Sequence, residues 1–368
     1  MNEIITIIII TAGAAAIASI AALLYWYAFR FEPVNFVLSR VRINLKEADW
    51  WGAGKNGQVQ KMLTILHLSD FHLRRDRIGT KLIQFIESLK TLKPDFIFIT
   101  GDLIEKDEYL PLLQDMLSGF DAAAGKFAVL GVHDYYNKSP REFLKNMVKR
   151  KKEYKRQNDI SGLINRLTQT GIKVLRNESV FINFSNSFVI QIAGIEDSII
   201  RKADIKTAFL PDKSIADNYR TNDINNKENQ VDKEADQIKK YAVSEAMKLS
   251  GKKMHVLNNS GRIVICLTHT PDRELLCLLS LEGADIVLCG HTHGGQVRLP
   301  AIGALLSGCN IKTKYAAGLF YFKKFILYVS RGLGEGRYSP FMFYCQPEAT
   351  LIDVYYQTPI TGSCTNQY

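Results

Sequence analysis

The chain has 368 residues, 46% hydrophobic and 23% charged, with 25 Gly and 10 Pro; collagen-like, coiled-coil and wholly disordered chains are excluded by that composition. Its 47 Lys/Arg and 37 Asp/Glu leave a formal charge of +10, which suits an anionic partner or surface. Twelve Lys/Arg and only three Asp/Glu lie between Lys138 and Arg176, so most of the excess sits in one stretch.

From Ile4 to Phe29 the chain carries no charge. As a helix at ~1.5 Å per residue, that run spans a ~30 Å hydrocarbon layer. A cleaved signal peptide fits poorly, because no basic segment or Arg pair precedes the run and the run is too long. Tyr25, Trp26 and Tyr27 close it with interface-type aromatics. Residues 1–30 are therefore read as a transmembrane anchor, 31–61 as a juxtamembrane connector and 62–368 as the folded domain. Met1-Asn2-Glu3 holds no Lys or Arg, whereas Arg30, Arg40, Arg42 and Lys46 follow the run. The positive-inside rule places the body of the chain in the cytoplasm. Six cysteines without a CxxC, two of them (Cys266 and Cys289) inside apolar runs, fit reduced thiols in that compartment.

Beyond Met62 one device recurs: a short apolar run, then a polar cluster, then a helical stretch. Met62–Ser69 leads to Asp70-Phe71-His72, and Asp95–Thr100 to Gly101-Asp102. Phe127–Gly131 leads to Val132-His133-Asp134, Ile263–Thr268 to His269, and Asp285–Cys289 to Gly290-His291-Thr292-His293. Such runs predict buried strands. Leu82, Phe85, Ile86, Leu89 and Leu92 share one helical face between the first two. The alternation predicts an α/β fold with its chemistry at the carboxyl ends of strands. Two stretches read as insertions. Residues 138–159 predict a basic amphipathic helix, either a solvated surface helix or a lid or membrane-surface element. Residues 211–261 open Asn-rich and then predict a helix over Asp232–Leu249, stopped by Gly251.

Five histidines and two aspartates stand just past strand ends. Oxygen and imidazole ligands in this mix suit Mn, Fe or Zn better than Ca or Mg. Six ligands exceed one open tetrahedral site and suit two cations sharing a carboxylate. His67, inside a strand, reads as a core histidine, and His255 has no case as a ligand. Arg331 reads equally as a phosphate contact or a structural arginine.

Taken in order, Asp70-x-His72, Gly101-Asp102, Gly-x-His133-Asp134, His269 and Gly290-His291-x-His293 resemble the calcineurin-like metallophosphoesterases. The wording is most similar to the YaeI/YkuE-type bacterial branch, which includes membrane-anchored phosphodiesterases and a UDP-2,3-diacylglucosamine hydrolase of lipid A synthesis. The resemblance implies a two-sheet β-sandwich flanked by helices. It also implies two divalent metal ions, Mn first and Fe or Zn as alternatives. Asp70, His72 and His293 would hold one and His269 and His291 the other, with Asp102 as bridge. His133 would be the catalytic acid or hydrogen-bond donor, and Asp134 would orient it, unless Asp134 is a helix cap. One departure stands out: members of the family usually carry Asn, a ligand to the second metal, where this chain has Val132.

The resulting expectation is a single-pass protein of the bacterial inner membrane. It would hydrolyse a phosphodiester or pyrophosphate in a phosphorylated, lipid-linked nucleotide, with UDP-2,3-diacylglucosamine as the specific candidate. Alternatives are a general or cell-wall phosphodiesterase outside the membrane and a degenerate scaffold. Nucleic acid is not an expected partner, since no recognition motif accompanies the basic cluster.

Overall fold

Strand formation follows the alternation of side chains, and two mixed sheets result. The computed structural model describes residues 2–46, 59–137, 156–185, 188–210, 247–250, 255–258, 261–336 and 339–357. In chain order the sheet strands are β1 (Val37–Lys46), β2 (Val59–Leu68), β3 (Phe96–Thr100), β4 (Gly125–Val129), β5 (Ile172–Val174), β6 (Glu178–Ser185) and β7 (Phe188–Ile195). They continue as β8 (His255–Val256), β9 (Arg262–Thr268), β10 (Ile286–Cys289), β11 (Gly318–Tyr321), β12 (Ile326–Val329) and β13 (Glu348–Gln357). One sheet runs β8-β1-β13-β2-β3-β4-β5 and the other β11-β12-β10-β9-β7-β6. β2, β3 and β4 are mutually parallel, as are β7, β9, β10 and β12. Their carboxyl ends carry the loops that matter for chemistry.

The central strands β3, β9, β10 and β12 are apolar on both faces because both are covered. Ile65, Phe96, Phe98, Ile265 and Leu288 fill the space between the sheets. Their neighbours Leu66, Ile97 and Ile99 face outward under the helices Arg77–Leu89, Leu110–Leu117 and Ile160–Gln169. Val264, Cys266 and Val287 do the same on the other side under Arg273–Leu281. The expected helix-flanked two-sheet sandwich is the architecture. Among the described cysteines none is bridged, and Cys266, Cys277, Cys289 and Cys345 are buried.

Three boundaries differ from the sequence reading. Residues 31–61 are not simply a connector: Val37–Lys46 is a strand, parallel to β13 along its whole length. Ile43 and Leu45 are fully buried, while Arg42 lies over the Tyr355 ring. The period-two alternation was present, but its basic residues were read as membrane flanks. The basic helix predicted over 138–159 lies outside the described residues up to 155. Arg156–Gln157 pairs with Tyr136–Asn137, and Asp159 caps the next helix by accepting from Gly162 N at 2.9 Å. The helix predicted over Asp232–Leu249 lies outside the described residues up to 246. It does not reach Leu249, which forms a β-bridge with Phe322. The second insertion also closes before 261, since His255–Val256 pairs with β1 and Leu257 is core.

A long apolar helix, Asn2–Trp26, precedes the sandwich and exposes its isoleucines and leucines. With the turns that follow it, Glu3–Val34 is long and apolar enough to cross a membrane.

His67 is a core histidine, as expected. It is fully buried and its Nε2 lies 2.9 Å from Thr100 Oγ1. Burial pushes it down from its ordinary 6.5 to about 3. Between those values the unfolded chain binds a proton that the folded chain refuses, so stability is lost as pH falls through that window. Unfolding free energies from denaturant titrations at about pH 7 and about pH 5 should differ by roughly 1–2 kcal/mol less in His67→Gln than in wild type. Equal pH sensitivity of the two proteins would contradict this.

Candidate metal centre

The ligand-type side chains stand where parallel strands end. Asp70 and His72 follow β2, Asp102 follows β3, His133 follows β4, His269 follows β9, and His291 and His293 follow β10. Asp70, His72, Asp102, His291 and His293 all take positive φ, between 42° and 70°. Such backbone costs about 1–3 kcal/mol per residue and gathers at functional sites. Cross-bonds hold it: Asp70 N donates to Gly101 O at 2.9 Å, His72 N to Asp102 O at 3.0 Å, and Gly334 N to Asp70 O at 2.6 Å. His291 N donates to the Asp70 carboxylate at 3.0 Å, which joins the loops of the two sheets. Two glycines allow the approach. A Cβ on Gly290 would lie 1.9 Å from Ser69 Oγ, and one on Gly131 would lie 2.3 Å from Asp102 Oδ1.

All six expected ligands come together. Asp70, His72 and His293 form one group able to hold a cation, and Asp102, His269 and His291 form another, with ligand atoms within 4.8 Å of one another. Asp102 Oδ2 lies 3.0 Å from His269 Nε2 and 3.7 Å from His72 Nε2, so it faces both groups. The donor set fits divalent cations on its own chemistry. His72 Nδ1 meets Glu105 Oε1 at 2.7 Å, and His293 Nδ1 meets Gly334 O at 2.8 Å. A neutral ring held in this way donates from Nδ1 and carries its lone pair on Nε2. These Nε2 atoms are 3.2 Å apart. In the second group His269 donates Nδ1 to Thr100 O at 2.7 Å, and its Nε2 lies 3.2 Å from His291 Nδ1. In the first group, lone pairs facing at 3.2 Å repel unless a proton or a metal cation lies between them.

Charge reinforces the fit. Burial alone would raise the Asp102 carboxyl, but His269, His133 and His72 outweigh it and hold it well below the carboxylate range. Burial would lower His269, yet Asp102, Asp70 and Asp197 push it well above its ordinary value. Negative charge is therefore concentrated where cations would sit. Burial pushes His293 down to about 4, which leaves that imidazole neutral near neutral pH.

His133 joins His72 and Asp102 in a third group, and its backbone N donates to Asp102 Oδ1 at 2.8 Å. The expectation that Asp134 orients the His133 ring is corrected. The buried Asp134 carboxylate accepts backbone N–H groups from Asp102 (2.9 Å), Leu103 (2.7 Å) and Gly131 (2.8 Å), so it shapes the loop that presents Asp102. Asp134 is not the N-cap either: it stands at the third position of the short helix and its carboxylate accepts from the backbone N–H of the N-cap, Gly131. The carboxylate beside the ring is Glu105, whose Oε1 lies 3.4 Å from His133 Nδ1 and also serves His72. Sequence reading missed Glu105, although an acid three residues after Asp102 was the available signal. Buried Asp197, which accepts from Thr270 Oγ1 at 2.6 Å, was missed too, because β7 was not predicted. Arg331 is structural: Nη2 sits 2.6 Å from Glu348 Oε2. His255 is buried against Asp285 at 3.1 Å.

Val132 is buried at the start of the turn that carries His133, and valine offers no donor atom. Val132→Asn should shift Mn²⁺ activation to lower concentration by about tenfold, the scale of one polar interaction gained. Coincident activation curves would show that the position is neutral to metal binding.

The calcineurin-like phosphoesterase family model matches residues 63–295. The UDP-2,3-diacylglucosamine pyrophosphatase LpxG of Chlamydia muridarum is 27% identical over 365 residues, covering 94% of this chain and 98% of that protein. Its Chlamydia trachomatis counterpart is 27% identical over 95% of this chain and 98% of its own length. Phosphodiesterase YaeI of Escherichia coli is 36% identical over 96 residues, covering 26% of this chain and 33% of that protein.

Proposed function

Because the chain belongs to the calcineurin-like phosphoesterase family, and is thus a metal-dependent hydrolase of phosphoric ester or pyrophosphate bonds, we propose that its substrate is UDP-2,3-diacylglucosamine at the cytoplasmic face of the inner membrane. The observation that carries this reading is the end-to-end correspondence with the two LpxG pyrophosphatases, which extends across nearly the whole of both partners. The apolar amino-terminal helix supports it as a membrane anchor.

Asp70, His72 and His293 would hold one divalent ion, His269 and His291 the other, and Asp102 would bridge. Mn²⁺ is the ion the family resemblance implies first, and the imidazole-rich shell suits Fe or Zn as well. Bound there, the ions supply positive charge against the phosphoryl oxygens and make water a stronger acid. The protein's own part is positional. Glu105, with Oε1 3.4 Å from His133 Nδ1, places negative charge beside the ring, so that Nε2 serves as hydrogen-bond donor or acid toward a phosphate oxygen. Asp134 keeps the Asp102 loop in place. Water adds to one phosphorus, the bridging P–O bond breaks, and the products are UMP and 2,3-diacylglucosamine 1-phosphate.

The test is a panel with the purified full chain and Mn²⁺: UDP-2,3-diacylglucosamine in mixed micelles, an aryl phosphodiester and an aryl monoester. UMP release from the first, faster than aryl diester cleavage, is expected. Cleavage of the aryl diester alone would favour a general phosphodiesterase. Val132 keeps a second reading in view, a degenerate scaffold, which predicts no hydrolysis at any Mn²⁺ concentration.

A further inference from the structure

The base of the apolar helix is attached to the catalytic domain through the segment 341–345 and through Arg77, whose Nη1 donates to Arg30 O at 3.0 Å. Met342 N donates to Ala28 O at 3.0 Å, and Cys345 N donates to Glu32 Oε1 at 2.6 Å. Tyr27 packs edge-on against Phe343 at 5.5 Å, and Phe29 meets Phe341 at 5.4 Å. The same segment holds the metal loop. Phe343 N donates to Gln296 O at 2.8 Å, Arg298 N donates to Phe343 O at 2.9 Å, and Cys345 Sγ lies 3.3 Å from His293 O. From the membrane-helix base to a candidate ligand the path is therefore one residue deep.

The metal loop runs directly into a short hairpin, in which Arg298–Leu299 pairs with Gly303–Ala304. The hairpin and the residue pair after it expose side chains that a water-facing surface would not favour. Ile302 is 71% exposed, Leu305 47% and Leu306 73%, and Tyr344 on the adjoining segment is 60% exposed. This apolar lip is packed onto the centre: a Cβ on Gly295 would lie 2.5 Å from Leu306 O. Lys312 and Lys314 follow on the surface, beyond a turn closed by Ser307 Oγ on Ile311 O at 2.8 Å.

We infer that Ile302, Leu305, Leu306 and Tyr344 insert into the interface of an anionic bilayer beside the anchor, so that the metal centre takes its substrate directly from the membrane surface. The inference rests on the anchor reading above. Continuity argues for lipid as the occupant: the lip adjoins the segment on which the anchor is seated, through the Val297–Phe343 bridge. An aliphatic and aromatic edge followed by lysines matches acyl chains below and phosphate headgroups above. The lip's closeness to His293 gives this surface a use, because a diacylated substrate would keep its chains in lipid while its pyrophosphate enters the site.

The test places an environment-sensitive fluorophore on Leu306→Cys in the full chain, with Cys309→Ser and Cys364→Ser to limit labelling elsewhere. The protein is reconstituted in phosphatidylethanolamine–phosphatidylglycerol vesicles that contain a lipid spin-labelled near the acyl carbonyl. A loss of roughly half the emission is expected, as for a side chain ~5–10 Å into the headgroup–acyl boundary. The same label on Ala15→Cys, quenched by a spin label deep in the acyl chains, reports the anchor separately. Quenching at 15 without quenching at 306 overturns the lip while the anchor stands. Absence of quenching at both overturns the anchor reading and the lip with it.

Discussion

Asp102→Asn should lower phosphoester turnover by roughly three orders of magnitude or more, the scale of losing a principal electrostatic element of a site. Asp102 reaches both ligand groups more closely than Asp70 does, with Oδ2 at 3.0 Å from His269 Nε2 and 3.7 Å from His72 Nε2, whereas Asp70 Oδ1 lies 3.7 Å from His293 Nε2 and 4.0 Å from His269 Nε2. An amide keeps the size but removes the charge, and it can place an N–H donor where an oxygen lone pair is required. The Oδ1 contact to His133 N at 2.8 Å asks only for an acceptor, so the fold should survive. Initial rates on an aryl phosphodiester, taken with Mn²⁺ content after dialysis, check this. Wild-type turnover with two ions retained would overturn the bridging role.

Glu105→Gln should lower kcat by about 10–100-fold, the range for a group that orients a metal-bound histidine. One oxygen of Glu105 serves two rings, His72 at 2.7 Å and His133 at 3.4 Å. Burial would raise this carboxyl, but His133 and His72 outweigh burial and hold it well below the carboxylate range. It therefore stays ionised and stabilises a proton on His133. Without that charge His133 gives up its proton at lower pH, so the limb of the kcat profile that needs protonated His133 should move to lower pH. The pH–rate profile is the deciding readout. A loss of activity with an unmoved profile would reduce Glu105 to a packing role.

The strand ends were legible in the sequence because each combines a buried apolar run with polar residues that a core would not hold. Asp70, His72, Asp102, His269, His291 and His293 stood out on that ground, and the fold brings all six together. Edge and antiparallel strands were harder to see. β1 alternates apolar and basic residues, a pattern that also describes the flank of a membrane helix. β6 and β13 carry polar residues on one face, so neither gives a continuous apolar run. Contacts between loops were not legible at all. Asp134 looked like a partner of the adjacent His133, yet its carboxylate is taken up by backbone N–H groups of the 102–103 loop. Nor does spacing show that Glu105 reaches two rings, since that depends on the left-handed backbone at His72 and Asp102. The attachment of residues 341–345 to the helix base is equally tertiary.

The most direct measurement of the central claim, two divalent ions held side by side by these loops, is electron paramagnetic resonance of the full chain loaded with Mn²⁺. If Asp102 joins the two groups, the loaded protein gives the spectrum of an exchange-coupled Mn²⁺ pair, and Asp102→Asn loses it. A spectrum of isolated ions only, at saturating Mn²⁺ in the wild-type protein, would contradict the account.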